Sequence, residues 1–311
     1  MSNILIIKHG SLGDLIQANG AIEDIKNSFK DSKVLLLTSK SYSELMYQCP
    51  YIDGVIVDKR LPRWNLFYLA SLRRLLNKYN FSHVFDLQNS SRTRFYKKYI
   101  LSSAIWSSSE TSLEPGQKKM NFDEEPVLNR FETQLEKSGV EIIKLRNMDL
   151  SWTFVDMNDV IKGYKGEKYI LIFPFCSKKH IKKKWPYFKE LTKKINEYYK
   201  NKYSLMIAPG PREINESSTF GARVILDKDK NFLNLNQLIT LINNSSFIIS
   251  NDTGPAHISS HLKKRGLVLF GSHTTASKVS IENENFKAIS VKDLNQLSVD
   301  DVFAKVKNAL N

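Results

Sequence analysis

Three stretches of this sequence set side chains capable of chemistry beside glycine or proline. Lys8-His9-Gly10-Ser11-Leu12-Gly13-Asp14 joins two glycines, which let backbone approach a ligand, to a carboxylate able to accept a proton. The same carboxylate could equally do no more than open a helix, where its charge meets the positive end of the dipole. Lys178-Lys179-His180-Ile181-Lys182-Lys183-Lys184-Trp185-Pro186 places five lysines in the seven positions 178–184. Such a run is either a solvated loop or a positive lip that meets a diphosphate beside a helix N-terminus. Ser250-Asn251-Asp252-Thr253-Gly254-Pro255-Ala256-His257 is the most specific of the three. Thr253 or Asp252 can cap a helix there, Pro255 presets its first turn, and the amides of Gly254 and Ala256 would face an anion.

Other groupings carry less. His257 and His261 stand four apart, but the residues between them lack the glutamate of a zinc-protease helix and no third ligand follows. Asp227-Lys228-Asp229 matches an Asp-x-Asp metal pattern, yet it closes a strand in a polar turn. No metal site is expected. Cys49 and Cys176 fit no metal or redox spacing and read as reduced thiols.

The elements that must position these residues follow from hydrophobic periodicity. Apolar runs at 4–7, 34–37, 55–57 and 84–87 read as buried strands. Helical spacing lies between them, as in Leu15, Ile22, Ile25 and Phe29 and again over 66–76. The rhythm resumes with strands at 169–173, 204–208, 224–226, 247–250 and 266–270. Strands alternating with helices predict parallel sheets, here in two doubly wound halves spanning 1–157 and 158–311 with a connection within 157–168. Residues 106–126 read as a loop, and Pro186 as part of the first turn of a helix with the apolar stripe Phe188, Leu191, Ile195 and Tyr198. All three reactive stretches directly follow strands, where doubly wound sheets bind their ligands.

The formal charge of +14 predicts attraction to phosphates, acidic sugars or anionic lipid, unless the lysines are merely scattered over the surface. Residues 1–150 hold 21 Lys and Arg against 17 Asp and Glu, and 151–311 hold 25 against 15. The lysines are not interleaved with aromatics in any nucleic-acid motif, so nucleic acid is not an expected partner. The glycine fingerprint of dinucleotide binding is missing, and the second strand ends in Thr38-Ser39-Lys40 instead of an acidic residue. No apolar run approaches the ~20 residues of a membrane helix, and the start lacks signal-peptide character, so a cytoplasmic protein is expected.

In Gly13-Asp14, Lys183-Lys184-Trp185-Pro186 and above all Asp252-Thr253-Gly254-Pro255-Ala256-His257, the whole chain resembles glycosyltransferase family 9, the bacterial lipopolysaccharide heptosyltransferases. Pro50-Tyr51-Ile52-Asp53-Gly54-Val55-Ile56 and Phe85-Asp86-Leu87-Gln88-Asn89, followed by Arg92, extend the likeness. The resemblance implies an α/β GT-B fold, two Rossmann-like doubly wound domains facing a central cleft, with 1–157 binding the acceptor and 158–311 the nucleotide sugar. It implies an inverting transfer, without metal or cofactor, of a heptose or related sugar from a nucleotide diphosphate, ADP-heptose by family. The acceptor would be a lipopolysaccharide core or related surface glycolipid. Carried over by residue, Asp14 is similar to the catalytic base, with Gly13 beside it on the donor side, and Lys183 to the lysine on the diphosphate. Thr253 and Gly254 would hold the leaving phosphates, Asp252 the donor sugar, and His257 would lie near the phosphates. Glu213 matches the acidic residue on the donor ribose, with Glu216 the competing register. Arg60, Arg63, Gln88 and Arg92 are expected to face an anionic acceptor. A non-catalytic relative that only binds sugar nucleotides would have no need of Asp14.

The chain departs from the family at Gly271-Ser272-His273-Thr274-Thr275, where a proline-containing segment is usual, and at Gly20, where proline is usual. The basic surface and a glycolipid acceptor together predict peripheral docking at the inner face of the cytoplasmic membrane.

Overall fold

Parallel strands covered by helices on both faces must be apolar at every position, and Ile4, Leu5, Ile6 and Ile7 are all fully buried. They belong to the first of two compact units, Met1–Trp152 and Thr153–Asn311. The computed structural model describes residues 2–161 and 167–310, so 162–166 of the expected connection lie outside the described residues.

The first unit runs β1 (Asn3–Ile7), α1 (Leu12–Gln17), α2 (Asn19–Ser28), β2 (Lys33–Thr38), α3 (Lys40–Met46) and β3 (Gly54–Val57). It continues with α4 (Leu66–Asn77), β4 (Phe81–Asp86), α5 (Ser91–Tyr99), β5 (Ile105–Ser107), α6 (Lys119–Glu124) and α7 (Val127–Glu136). Its five parallel strands lie in the order β3-β2-β1-β4-β5. Alternate residues serve opposite faces. Ile4, Ile6, Val34 and Leu36 pack with Leu15, Ile22, Phe131 and Leu135, whereas Leu5, Ile7, Leu35 and Leu37 pack with Tyr68, Leu72, Leu76 and Tyr96.

The second unit runs β6 (Tyr169–Phe173), a 3-10 segment (Lys178–Lys183), α8 (Phe188–Tyr199), β7 (Ser204–Ile207), α9 (Ile214–Ser217), β8 (Arg223–Val224) and α10 (Leu235–Asn244). There follow β9 (Phe247–Asn251), α11 (Gly254–His261), β10 (Gly266–Phe270), β11 (Phe286–Ser290) and α12 (Val299–Leu310). Its six parallel strands lie in the order β11-β10-β9-β6-β7-β8. In each unit the chain winds outward from the middle in both directions, so strand order reverses between β1 and β4 and between β6 and β9. Those reversals open crevices at the strands' carboxyl ends.

Several local expectations are corrected. The helix read through Leu15 and Phe29 is two helices that meet at Ala18. The stretch 106–126 is not all loop, because it begins inside β5 and contains α6. Pro186 precedes the N-cap Tyr187 of α8, and the buried stripe ends on Tyr199 while Tyr198 is exposed. Edge strands β5 and β11 were missed because β5 is a run of only three residues and β11 is largely solvent-facing, so neither gives the continuous apolar run of a buried strand.

Gly20 has a packing reason. Buried Asp24, one turn further along α2, accepts hydrogen bonds from the backbone amides of Ile143 at 3.1 Å, Lys144 at 2.8 Å and Leu145 at 2.9 Å. This clamps the 143–145 backbone so near α2 that a Cβ on Gly20 would sit 2.4 Å from the Lys144 carbonyl oxygen. Gly20→Ala is therefore expected to lower stability by ~2–3 kcal/mol without touching the crevice residues, as urea unfolding would measure. An unchanged midpoint would mean that the 143–145 segment yields freely.

Candidate active site

The β1/β4 crevice collects the first reactive stretch. Gly10 adopts φ +97°, and a Cβ there would lie 2.3 Å from the Tyr42 ring, so the turn requires glycine. Asp14 occupies the third position of α1, where its Oδ2 accepts from Ser11 N at 2.9 Å and from Ser11 Oγ at 3.1 Å. The carboxylate thus does cap its helix, yet its side chain stays exposed, so capping and proton transfer are compatible. Gly13, beside it, is buried. Lys8, buried at the foot of the loop, donates to Leu87 O at 2.9 Å. Burial pushes its ammonium below the ordinary lysine value, opposed by the charges of Asp14 and Asp86.

Beside this loop stands a polar cluster that the sequence reading missed. Asp58, the residue that follows β3, lies 2.7 Å from His9 Nε2 and accepts from Tyr96 Oη at 2.8 Å, from Arg60 N at 2.8 Å and from Tyr68 Oη. Burial alone would raise its carboxyl, but the hydrogen bonds from His9, Tyr68 and the Arg60 amide outweigh it and hold Asp58 well below the usual carboxylate range. Two expected acceptor residues join the cluster's frame. Gln88 Oε1 accepts from His9 N at 2.9 Å, and Arg92 donates to Tyr96 Oη at 3.1 Å and to Leu61 O at 3.0 Å. Arg63 reaches Ser91 O at 3.4 Å. Arg60 contributes its amide to Asp58 and its carbonyl to Arg92, at 3.3 Å.

The β6/β9 crevice joins the other two stretches, 69 residues apart in sequence: Lys183 Nζ lies 2.6 Å from Asp252 Oδ2. His273 Nε2 is 2.9 Å from the same oxygen, and His257 Nε2 is 3.6 Å from Oδ1. Asn251 fixes the crevice floor by accepting from Trp185 N at 3.0 Å and donating to Pro174 O at 2.8 Å. Trp185 is wholly buried, with Nε1 on Leu297 O at 3.0 Å, so the basic segment is anchored at its end. His273, on the segment where the sequence departs from the family, stacks against Phe270 at 5.8 Å. It was missed as a site residue because only the fold brings it to Asp252.

Around α11, two expectations are corrected. Thr253 is the N-cap by position, but its hydroxyl turns back to Asn251 O at 3.3 Å instead of capping. The Ala256 amide is engaged by Thr253 O at 3.0 Å, because the helix opens with a tight turn. Gly254, at the first helical position, has no intrahelical acceptor for its amide. His261 is neutral, since burial, with help from the nearby His257, pushes it down to about 3. At the end of β7, Glu213 folds back to accept from Gly210 N at 2.8 Å and is raised by burial, while Glu216 pairs with Lys184 at 3.0 Å. Cys49 and Cys176 are free thiols. Among the described residues no group of three or more His, Cys, Asp or Glu is placed to hold a metal ion.

A family model described as "Glycosyltransferase family 9 (heptosyltransferase)" matches residues 69–301. The chain belongs to glycosyltransferase family 9. Family 9 membership makes it a glycosyltransferase. A lipooligosaccharide heptosyltransferase 2 of Campylobacter jejuni subsp. jejuni serotype O:2 is 24% identical over 286 residues, 89% of this chain and 83% of that protein. In fold, the chain matches E. coli heptosyltransferase WaaC solved with ADP at a TM-score of 0.73 and 15% identity, over 99% of each chain. A family 9 glycosyltransferase from Veillonella parvula matches at 0.77 and 15% identity, over 99% of this chain and 97% of that one. The architecture is therefore GT-B, two parallel-sheet α/β domains.

Asp58 also makes a pH prediction. Its depressed carboxyl means that the unfolded chain takes up the proton first, so the cluster's contribution is complete above the ordinary aspartate value. The stability difference between the protein and Asp58→Asn is expected to be ~3 kcal/mol above about pH 5 and to shrink steadily below about pH 4. Urea unfolding across that range checks it. A difference independent of pH would mean that the cluster does not depend on the ionised carboxylate.

Proposed function

We propose that this glycosyltransferase is a heptosyltransferase of lipopolysaccharide core assembly, moving heptose from ADP-heptose to a glycolipid acceptor with inversion and without metal. The first domain, 1–157, takes the acceptor and the second, 158–311, the nucleotide sugar. The observation that carries this reading is the convergence of Lys183, Asp252 and the start of α11 at the β6/β9 crevice. A lysine ammonium and a helix N-terminus are what a departing diphosphate requires, and they stabilise its charge as the bond to the sugar breaks. Thr253 and Gly254 lie at that helix start, and His257 is one turn in.

The acceptor hydroxyl attacks the anomeric carbon while Asp14 takes its proton, and the carbon–oxygen bond to the diphosphate breaks, leaving ADP with the electron pair. The transition state is oxocarbenium-like, and one displacement from the opposite face inverts the centre. Glu213 is assigned to the donor ribose. Arg60, Gln88 and Arg92, which join the cluster around Asp58, and Arg63 beside them are assigned to the acceptor side. No described helix is long and apolar enough to cross a membrane. The protein is assigned to the cytoplasm, reaching its acceptor from the inner membrane face.

The test is ADP release from ADP-heptose with a truncated lipopolysaccharide acceptor in EDTA. Acceptor-dependent release supports donor and mechanism together. Failure to bind ADP-heptose would overturn the donor, and release that requires added metal would overturn the metal-free chemistry.

A further inference from the structure

Three large apolar side chains close together in sequence stand in water: Trp64 is 80% exposed, Leu66 72% and Phe67 92%. The backbone that holds them there is tied down. Asn65 Oδ1 caps α4 by accepting from Tyr68 N at 3.0 Å, Asn65 N donates to Pro62 O at 3.0 Å, and Arg92 grips the Leu61 carbonyl. The hydrophobic triad is therefore presented by an ordered turn. A continuous chain of contacts leads from it along α5. The Arg63 guanidinium lies 5.9 Å from the centre of the Phe95 ring, Phe95 is 4.7 Å from Tyr99, and Lys98 Nζ stands 5.1 Å over Tyr99. Arg94, Lys97 and Lys98 line an open hollow of about 710 Å³ along this helix, with Trp106 and Glu110, the partner of Arg94, in its wall.

The charge along this stretch is predominantly basic. Residues 59–110 contain ten Lys and Arg against two acids, Asp86, which is buried, and Glu110, which pairs with Arg94 at 3.2 Å. Over residues 1–150 the excess is only 21 basic against 17 acidic, so the rest of the domain is net negative and its positive excess is concentrated in the stretch that carries this face. Two copies meeting through it would set like charges together. A surface of negative headgroups over hydrocarbon satisfies both features, since Trp and Phe favour the interface and Arg and Lys favour its phosphates.

We propose that this face docks the first domain on the surface of an anionic bilayer, with Trp64, Leu66 and Phe67 entering the interface and Arg63, Lys97 and Lys98 meeting headgroup phosphates. The role rests on the glycolipid acceptor proposed above, but the docking itself is testable without acceptor or donor. Trp64 is a built-in reporter, because it is the exposed one among the four tryptophans.

The experiment mixes the full chain with phosphatidylglycerol–phosphatidylcholine vesicles at low salt, following Trp fluorescence and co-sedimentation. Binding with a blue shift is expected, and little binding to phosphatidylcholine alone. The Trp64→Ser, Leu66→Ser, Phe67→Ser variant should partition at least ~10-fold more weakly with an unchanged unfolding midpoint, because the removed side chains support nothing in the fold. Lys97→Ala with Lys98→Ala should weaken partitioning by ~25-fold, about fivefold per lysine. The apolar triple variant should still use a water-soluble truncated acceptor at the wild-type rate, which separates loss of docking from loss of the glycosyltransferase reading. The proposal is overturned if the protein ignores anionic vesicles, or if the triple variant binds them as well as wild type. It is overturned too if the face proves to hold two copies together, with a concentration-dependent dimer that the triple variant abolishes.

Discussion

Asp14→Ala is expected to lower acceptor-dependent turnover by ~10²–10⁴-fold while ADP-heptose still binds, because the acceptor proton then has no positioned base. Alanine alone would be ambiguous. Asp14 also accepts two hydrogen bonds from Ser11 at the start of α1, and losing them costs the helix about 1 kcal/mol. Asp14→Asn resolves this. An amide oxygen still accepts from Ser11 and keeps the cap, but it cannot take up a proton at neutral pH. If the asparagine variant is as inactive as the alanine variant, the carboxylate acts as base. Should the asparagine variant retain full turnover, Asp14 only opens its helix, and the alternative read from the sequence is the right one.

The two parallel sheets were legible because their strands are short runs buried on both faces, and hydrophobic periodicity reports burial directly. The reactive stretches were legible too, since each follows a strand that periodicity had already located. Less legible was which of their residues would meet. Lys183 and Asp252 become neighbours only because β9 inserts next to β6, and nothing in the local sequence specifies that strand order. Asp58 was within reach of the same argument, as it directly follows β3, but one aspartate in Val57-Asp58-Lys59-Arg60 looks like an ordinary surface turn. Its partners Tyr68 and Tyr96 lie on α4 and α5, and only the fold brings their hydroxyls to it. The amide of Ala256 illustrates a finer limit. Whether a helix opens with a tight turn decides if that donor can face a ligand, and cap residues do not determine it.

Asp252→Ala should have an effect comparable to that of Asp14→Ala, but through binding. The buried carboxylate holds Lys183 and His273 on one oxygen and His257 near the other. Burial would raise its carboxyl, yet the hydrogen bonds and charges of His257 and Lys183 hold it well below the ordinary range, so it is ionised at neutral pH. Removing it leaves the ammonium and two imidazoles crowded at a crevice without their counter-charge, and a stability loss of ~3 kcal/mol is expected. The ligand comparison decides its role. If Asp252 touches the donor sugar, affinity for ADP-heptose should fall ~100-fold while affinity for ADP changes far less, because ADP lacks the group that Asp252 would hold. If both affinities fall together, Asp252 acts by aiming Lys183 at the diphosphate and makes no sugar contact of its own. His273→Ala sharpens the reading, since it removes one partner of Asp252 and leaves Lys183 in place. Calorimetric titration of the two variants with ADP and ADP-heptose would tell a sugar contact from a held lysine.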